Sequence, residues 1–194
     1  MDILKQSELI ETPWKNGGGV TRKIASGMLA ERVVWTISRA DVAQDGPFSD
    51  FAGFMRVLTV VSGGSMTLET PTEQLTANLW QPVRFDGGLK IQSHLTGGPL
   101  TDLNLMFDPL CCDGEVRTRQ GTLEHVINRP EHGLLAFHVL AGEPVINATR
   151  LTGGDTAFMQ QSAAALVLGD GDAVLEIRLT YSTDKTIKLC IANR

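Results

Sequence analysis

Short runs in which apolar and polar side chains alternate dominate the chain. In 33–42 (VVWTISRADV), Trp35 and Ile37 alternate with Thr36, Ser38 and Ala40. A period of two puts the two sets on opposite faces of a strand. Similar runs occupy 55–61 (MRVLTVV), 65–69, 79–85, 89–95 and 100–107. They are rich in β-branched and aromatic residues and are bounded by Gly, Pro, Asn and Asp, which predicts strands joined by tight turns. No long segment repeats with the helical period, and the best helical candidate is one or two turns around Glu8 to Thr12. The pattern is that of an all-β barrel or sandwich with very little helix.

The second half reads the same way, with strands predicted at 135–140, 144–150, 156–160, 164–168 and 173–181. LTVVSGGSMTLE and FHVLAGEPVINA can be superposed with Gly63 on Gly142, an offset of 79 residues. A weak internal duplication explains this; so does the general likeness of any two hairpins. The turn-rich stretch 108–119 (DPLCCDGEVRTR) marks the join, dividing the chain into 1–110 and 111–194.

With 42% hydrophobic residues among 194, the chain can bury a substantial core. Its 20 glycines and 8 prolines suit many turns. A net charge of −5 argues against nucleic acid as a partner, which calls for a basic face. No stretch approaches the roughly 20 apolar residues of a membrane span. The first residues, MDILKQSELIETPW, lack a basic-then-apolar leader, so a cytoplasmic protein is expected. Cys111, Cys112 and Cys190 form neither a disulfide framework nor a CxxC site. His94, His125, His132 and His138 are scattered, without an HxH or HExxH pattern. His94 and His138 sit in strand contexts and read as core or surface residues rather than catalytic bases.

Strand–Gly–strand pairs of this kind resemble the cupin superfamily, which implies a double-stranded β-helix, here duplicated as a bicupin. Metal-binding cupins carry HxH, three or four residues, Glu, six residues, then Gly. Setting that Gly on Gly63 puts the Glu at Arg56 and the two histidines at Ser49 and Phe51. A second motif started at Pro82 puts its His on Gly87. No ligand survives, so neither a metal nor another cofactor is expected. Arg56 lies among apolar neighbours in FMRVLTVV. A guanidinium there is always charged and suits a carboxylate. It needs a partner, either a bound anion or an internal acid such as Asp102. The matching position of the second half is Leu135, so one site is expected, in the first barrel.

PWKNGGGVTRKI at 13–24, GPFSDFAGFMR at 46–56, the VVSGG turn and DLNLMFD at 102–108 together resemble the HutD/Ves family, in the family's order and over roughly residues 8 to 110. The resemblance implies a bicupin without metal. HutD-type members are linked to histidine utilisation as governors of the pathway, with a small carboxylate of the urocanate or formylglutamate kind as ligand. The Ves branch is described only as stress-induced. One departure stands out: where the family strand reads WRxSxAxV, this chain has Thr36 at the arginine position. Arg39, on the opposite face by alternation, does not replace it.

Read from its residues, PWKNGGGVTR offers Trp14 for stacking, Lys15 and Arg22 for charge and Asn16 for hydrogen bonds, beside glycines whose N–H groups can cradle an anion. The same segment would also serve as an arm closing one barrel end. In DLNLMFD, Asp102, Asn104 and Met106 share a face. That face lines a cavity with Arg56, or it faces solvent. The expected ligand-binding set is Trp14, Lys15, Asn16, Arg22, Arg56, Asp102 and Asn104, with a small anionic metabolite as partner. A binding protein is the leading reading. The alternatives are a metal-independent isomerase or hydrolase using Asp102 as general base, and an adaptor working through an exposed sheet, a surface that leaves a homodimer open.

Overall fold

The computed structural model describes residues 1–15, 17–182 and 186–192. Asn16, one of the expected ligand contacts, lies outside the described residues. The fold is all-β, and the one helical segment among the described residues is a three-residue 3-10 turn at Gln6–Glu8. Helical turns are expected around Glu8 to Thr12, but the turn lies before that stretch and shares only Glu8 with it. The Lys5 backbone N–H bonds Glu8 Oε2 at 2.7 Å and closes it. Glu11–Pro13 then extends and pairs with Val20 to Arg22.

The chain forms two compact units, Ile10–Cys111 with Lys185–Arg194, and Met1–Leu9 with Cys112–Asp184. The expected halves 1–110 and 111–194 therefore exchange their end segments. Asp2–Leu4 pairs with Thr156–Phe158 in one unit, and Lys188–Ile191 pairs with Gly19–Leu29 in the other.

In the unit containing Arg56, one sheet runs in the order Glu11–Pro13, Gly19–Leu29, Arg32–Val42, Leu100–Phe107, Met55–Ser62, Val83–Asp86, with Lys188–Ile191 added beside Gly19–Leu29. A four-stranded sheet runs Gly46–Pro47, Gln92–Thr96, Ser65–Glu69, Gln74–Ala77. A cluster including Leu58, Val60, Met66, Leu68, Phe85 and Leu100 fills part of the interior. The strand expected at 79–85 begins only at Val83. Pro82 has no N–H for the ladder, and Trp80 adopts φ 61° in the turn before it.

The other unit pairs a five-stranded sheet with the sheet Leu123–Asn128, Ala163–Leu168, Val145–Ile146, Thr149–Arg150. Leu135, Phe137, Val139, Ile146, Leu166 and Val174 belong to one buried apolar cluster in its interior. Leu135, the counterpart of Arg56 at the 79-residue offset, is part of that packing. Gly63 and Gly142 both turn at positive φ, 91° and 74°.

Candidate functional site

Strict alternation on three neighbouring strands builds the wall of a cavity of about 510 Å³. Asp102, Asn104 and Met106 face it from Leu100–Phe107, Ser38 and Ala40 from Arg32–Val42, and Arg56 from Met55–Ser62. The register sets Met106 opposite Arg56, and Asn104 opposite both Ser38 and Leu58. Pro13, Trp14, Lys15, Thr21, Pro47, Phe48, Ser49 and Phe51 complete the lining.

Arg56 is 6% exposed. Its Nη2 donates to Asn104 Oδ1 at 2.6 Å, and its Nε is buried without a hydrogen-bond partner. Its guanidinium carbon lies 4.7 Å from the centre of the Phe48 ring, 5.4 Å from Phe51 and 5.2 Å from Phe85. Three aromatic rings thus hold a cation whose donor capacity is largely unspent. Asn104 passes the chain on, its Nδ2 donating to Asp102 Oδ1. Burial pulls the Arg56 pKa down to about 10, with the Asp102 charge opposing the fall. Burial pushes Asp102 up to about 7; the Arg56 charge opposes this and Asp41 adds to it. In both groups desolvation outweighs mutual attraction, as expected when an amide stands between acid and base.

The loop carrying two of the rings is fixed by backbone bonds. Phe48 N–H donates to the Ile91 carbonyl at 2.9 Å, and Phe51 N–H to the Gly87 carbonyl at 2.9 Å. At the mouth, Trp14 Nε1 donates to Thr21 Oγ1 at 2.7 Å. A Cβ on Gly19 would lie 2.4 Å from the Asp41 carbonyl and 3.0 Å from the Trp14 ring, so glycine lets the indole settle there.

Of the expected contacts, the cavity brings together Trp14, Lys15, Arg56, Asp102 and Asn104. Arg22 goes elsewhere. Thr21 faces the cavity, so its neighbour is turned to the other face of the strand. There Arg22 donates to Asp41 Oδ2 at 2.5 Å and also pairs with Glu11. Arg39 shares that face, with its Nε buried and unpartnered. His94 is a surface group between Asp45 and Glu69, each at 3.1 Å, and His138 is buried against Thr156 at 2.8 Å. Phe48, Phe51 and Phe85 were not anticipated from the sequence as part of the site.

The residues present do not fit the metal of a metal-binding cupin. Ser49, Phe51 and Arg56, which stand at the three ligand positions of the first motif, all line the cavity. They offer a hydroxyl, a benzyl group and a guanidinium with no free lone pair. At Gly87, where the second motif has histidine, a Cβ would lie 2.8 Å from the carbonyls of both Phe51 and Phe54. The ring-bearing loop takes up that space.

A family model described as HutD matches residues 6–176. The chain belongs to the HutD family. The HutD structure from Pseudomonas fluorescens SBW25, in a formate condition, is 27% identical with a TM-score of 0.81, covering 94% of this chain and 99% of that one. A curated relative from Pseudomonas putida, an uncharacterized 21.2 kDa protein in the region 3′ of hutC, is 34% identical over 112 residues. That match spans 56% of this HutD chain and 59% of the relative's length. The nickel(II) complex of the bacterial pirin YhhW from Escherichia coli is 9% identical with a TM-score of 0.68, covering 91% and 97% of the two chains. This last likeness concerns the fold alone, which is of the cupin and pirin type.

Proposed function

We propose that this HutD protein binds a small carboxylate in the cavity of its Arg56-containing unit and acts as a governor of histidine utilisation rather than as an enzyme. The carrying observation is Arg56, a buried guanidinium held by three phenyl rings, with one side-chain hydrogen bond and cavity space before it. A desolvated cation of this kind gains most from an anion that accepts two N–H bonds. Lys15 adds positive charge to the lining, and Trp14 with Phe48 suits a flat or apolar ligand body. The P. putida relative's place beside hutC supports an acid of the urocanate or formylglutamate kind. The protein would work in the cytoplasm, as a binding module for that metabolite.

Thermal unfolding with a panel of such acids tests the reading. At least one acid should raise the melting temperature, and Arg56→Ala should abolish the rise; a panel without any shift refutes it.

One observation favours a second reading. Asp102 lies on the same wall with its pKa pushed up to about 7 by burial, the range of a general acid or base. The protein would then be a metal-independent isomerase or hydrolase. Turnover of a pathway acid, lost in Asp102→Asn, would establish it.

A further inference from the structure

Among the described residues, the cavity contains an acid with no cation in salt-bridge contact with it. Asp102 is 2% exposed, and its Oδ1 accepts from Asn104 Nδ2, whose own carbonyl is spent on Arg56. The hydrogen bonds run one way, from guanidinium through amide to carboxylate, and Asp102 Oδ2 takes no part in them.

The neighbouring charges do not change this. On the adjacent strand, Asp41 is turned to the other face, where it is bonded by Arg22 and by Thr101 at 2.9 Å. Arg39 lies on that outer face as well. Met55–Ser62 contributes Arg56, and the mouth contributes Lys15. No histidine lines the cavity.

A carboxylate arriving on Arg56 would set two negative groups against one buried guanidinium. Two carboxylates in a shared dry site do not both stay ionised, because each disfavours the other's charge. The geometry points to proton-coupled binding: each anion seated on Arg56 brings one proton from solvent onto Asp102 Oδ2, and the resulting carboxylic acid donates its O–H to the bound carboxylate. Oδ1 keeps its bond from Asn104, the proton leaves the buffer, and no covalent bond in the ligand changes. The inference rests on the carboxylate-binding reading and deepens it. It also narrows the ligand class. An acid without an ammonium group profits from a protonated Asp102, whereas a free amino acid would use the same group ionised, as the counter-ion of its ammonium.

The test is isothermal titration of the full-length protein with N-formyl-L-glutamate, whose carboxylates stay ionised throughout, between about pH 5.5 and 8.5. Running each pH in two buffers of different ionisation enthalpy counts the protons. The expected result is uptake of about one proton per ligand at the alkaline end, falling towards zero at the acid end. Affinity should weaken towards about tenfold per pH unit where Asp102 is ionised in the free protein. Asp102→Asn should bind with no proton uptake and a flat pH profile, since its amide donates at every pH. Wild-type binding with a flat profile and no proton uptake overturns the coupling and leaves the binding reading standing. L-Glutamate binding more tightly than its N-formyl derivative, without protons, also overturns it, in favour of an amino-acid site. If neither these acids nor urocanate binds at any pH, the binding reading fails and the coupling with it. The wild-type proton count decides the matter even if the variant folds poorly.

Discussion

Arg56 and Asn104, on neighbouring antiparallel strands, share a hydrogen bond of 2.6 Å on the wall of the cavity. Asn104 is itself 6% exposed and is the only side chain among the described residues that bonds Arg56. The bond orients the guanidinium while committing little of its donor capacity. Asn104→Ala should therefore do two things. It should destabilise the fold by about 1–3 kcal/mol, because a buried cation and a buried acid both lose their partner. It should also weaken carboxylate binding, because Arg56 is no longer aimed. Urea denaturation measures the first effect and titration of the ligand the second.

The stability of the protein should carry the signature of Asp102. Burial places its folded-state pKa at about 7, above the usual 3.8, so the folded chain binds this proton more tightly than the unfolded chain does. Its contribution to stability is fully present below about pH 4, declines as pH rises towards 7, and is level beyond. Asp102→Asn should remove that decline. Subtracting the variant's stability–pH curve from that of the wild type isolates the term; a flat difference between pH 4 and 7 refutes it.

Asp155 should behave with the opposite sign. It is 2% exposed; burial alone would raise its pKa, but bonds from Lys5, the Gln6 and Thr152 backbone and the Thr152 hydroxyl outweigh this and hold it low. The Lys5 Nζ contact is 2.7 Å. Stability from this group is present above the ordinary carboxylate range and is lost as pH falls through its depressed folded value. Asp155→Ala should cost about 2–4 kcal/mol near neutrality and less in acid. Hydrogen exchange should then show the backbone of residues 2–4 opening more often.

Much of this site was legible in the sequence because charge inside an apolar strand is conspicuous. Arg56, Asp102 and Asn104 break otherwise hydrophobic runs, and alternation alone assigns Asp102, Asn104 and Met106 to one face. The strands Ser65–Glu69, Leu100–Phe107 and Ala173–Tyr181 match their predicted bounds, since each is a run rich in apolar residues set between turn residues. The rings around Arg56 stayed hidden. Phe48 and Phe51 belong to a turn-rich loop, and only its fold-back against Ile91 and Gly87 brings them to the guanidinium.

Gly19–Leu29 is not legible as a strand for a different reason. Its buried positions bunch at Ile24, Ala25, Ser26 and Gly27 instead of alternating, and two register shifts interrupt its pairing. A Cβ on Gly27 would meet Trp35 Nε1 at 2.0 Å, so packing dictates a residue with no strand propensity. Without regular alternation there, the sequence offers no face for Arg22, only its nearness to the glycines.

The exchange of end segments bears on how the polypeptide is made. The edge of Gly19–Leu29 along residues 25–28 finds its partner only at 188–191, so that stretch of ladder stays open until residue 191 has left the ribosome. A cut between Cys111 and Cys112 would likewise give two fragments, each carrying the outermost strand that the other one needs.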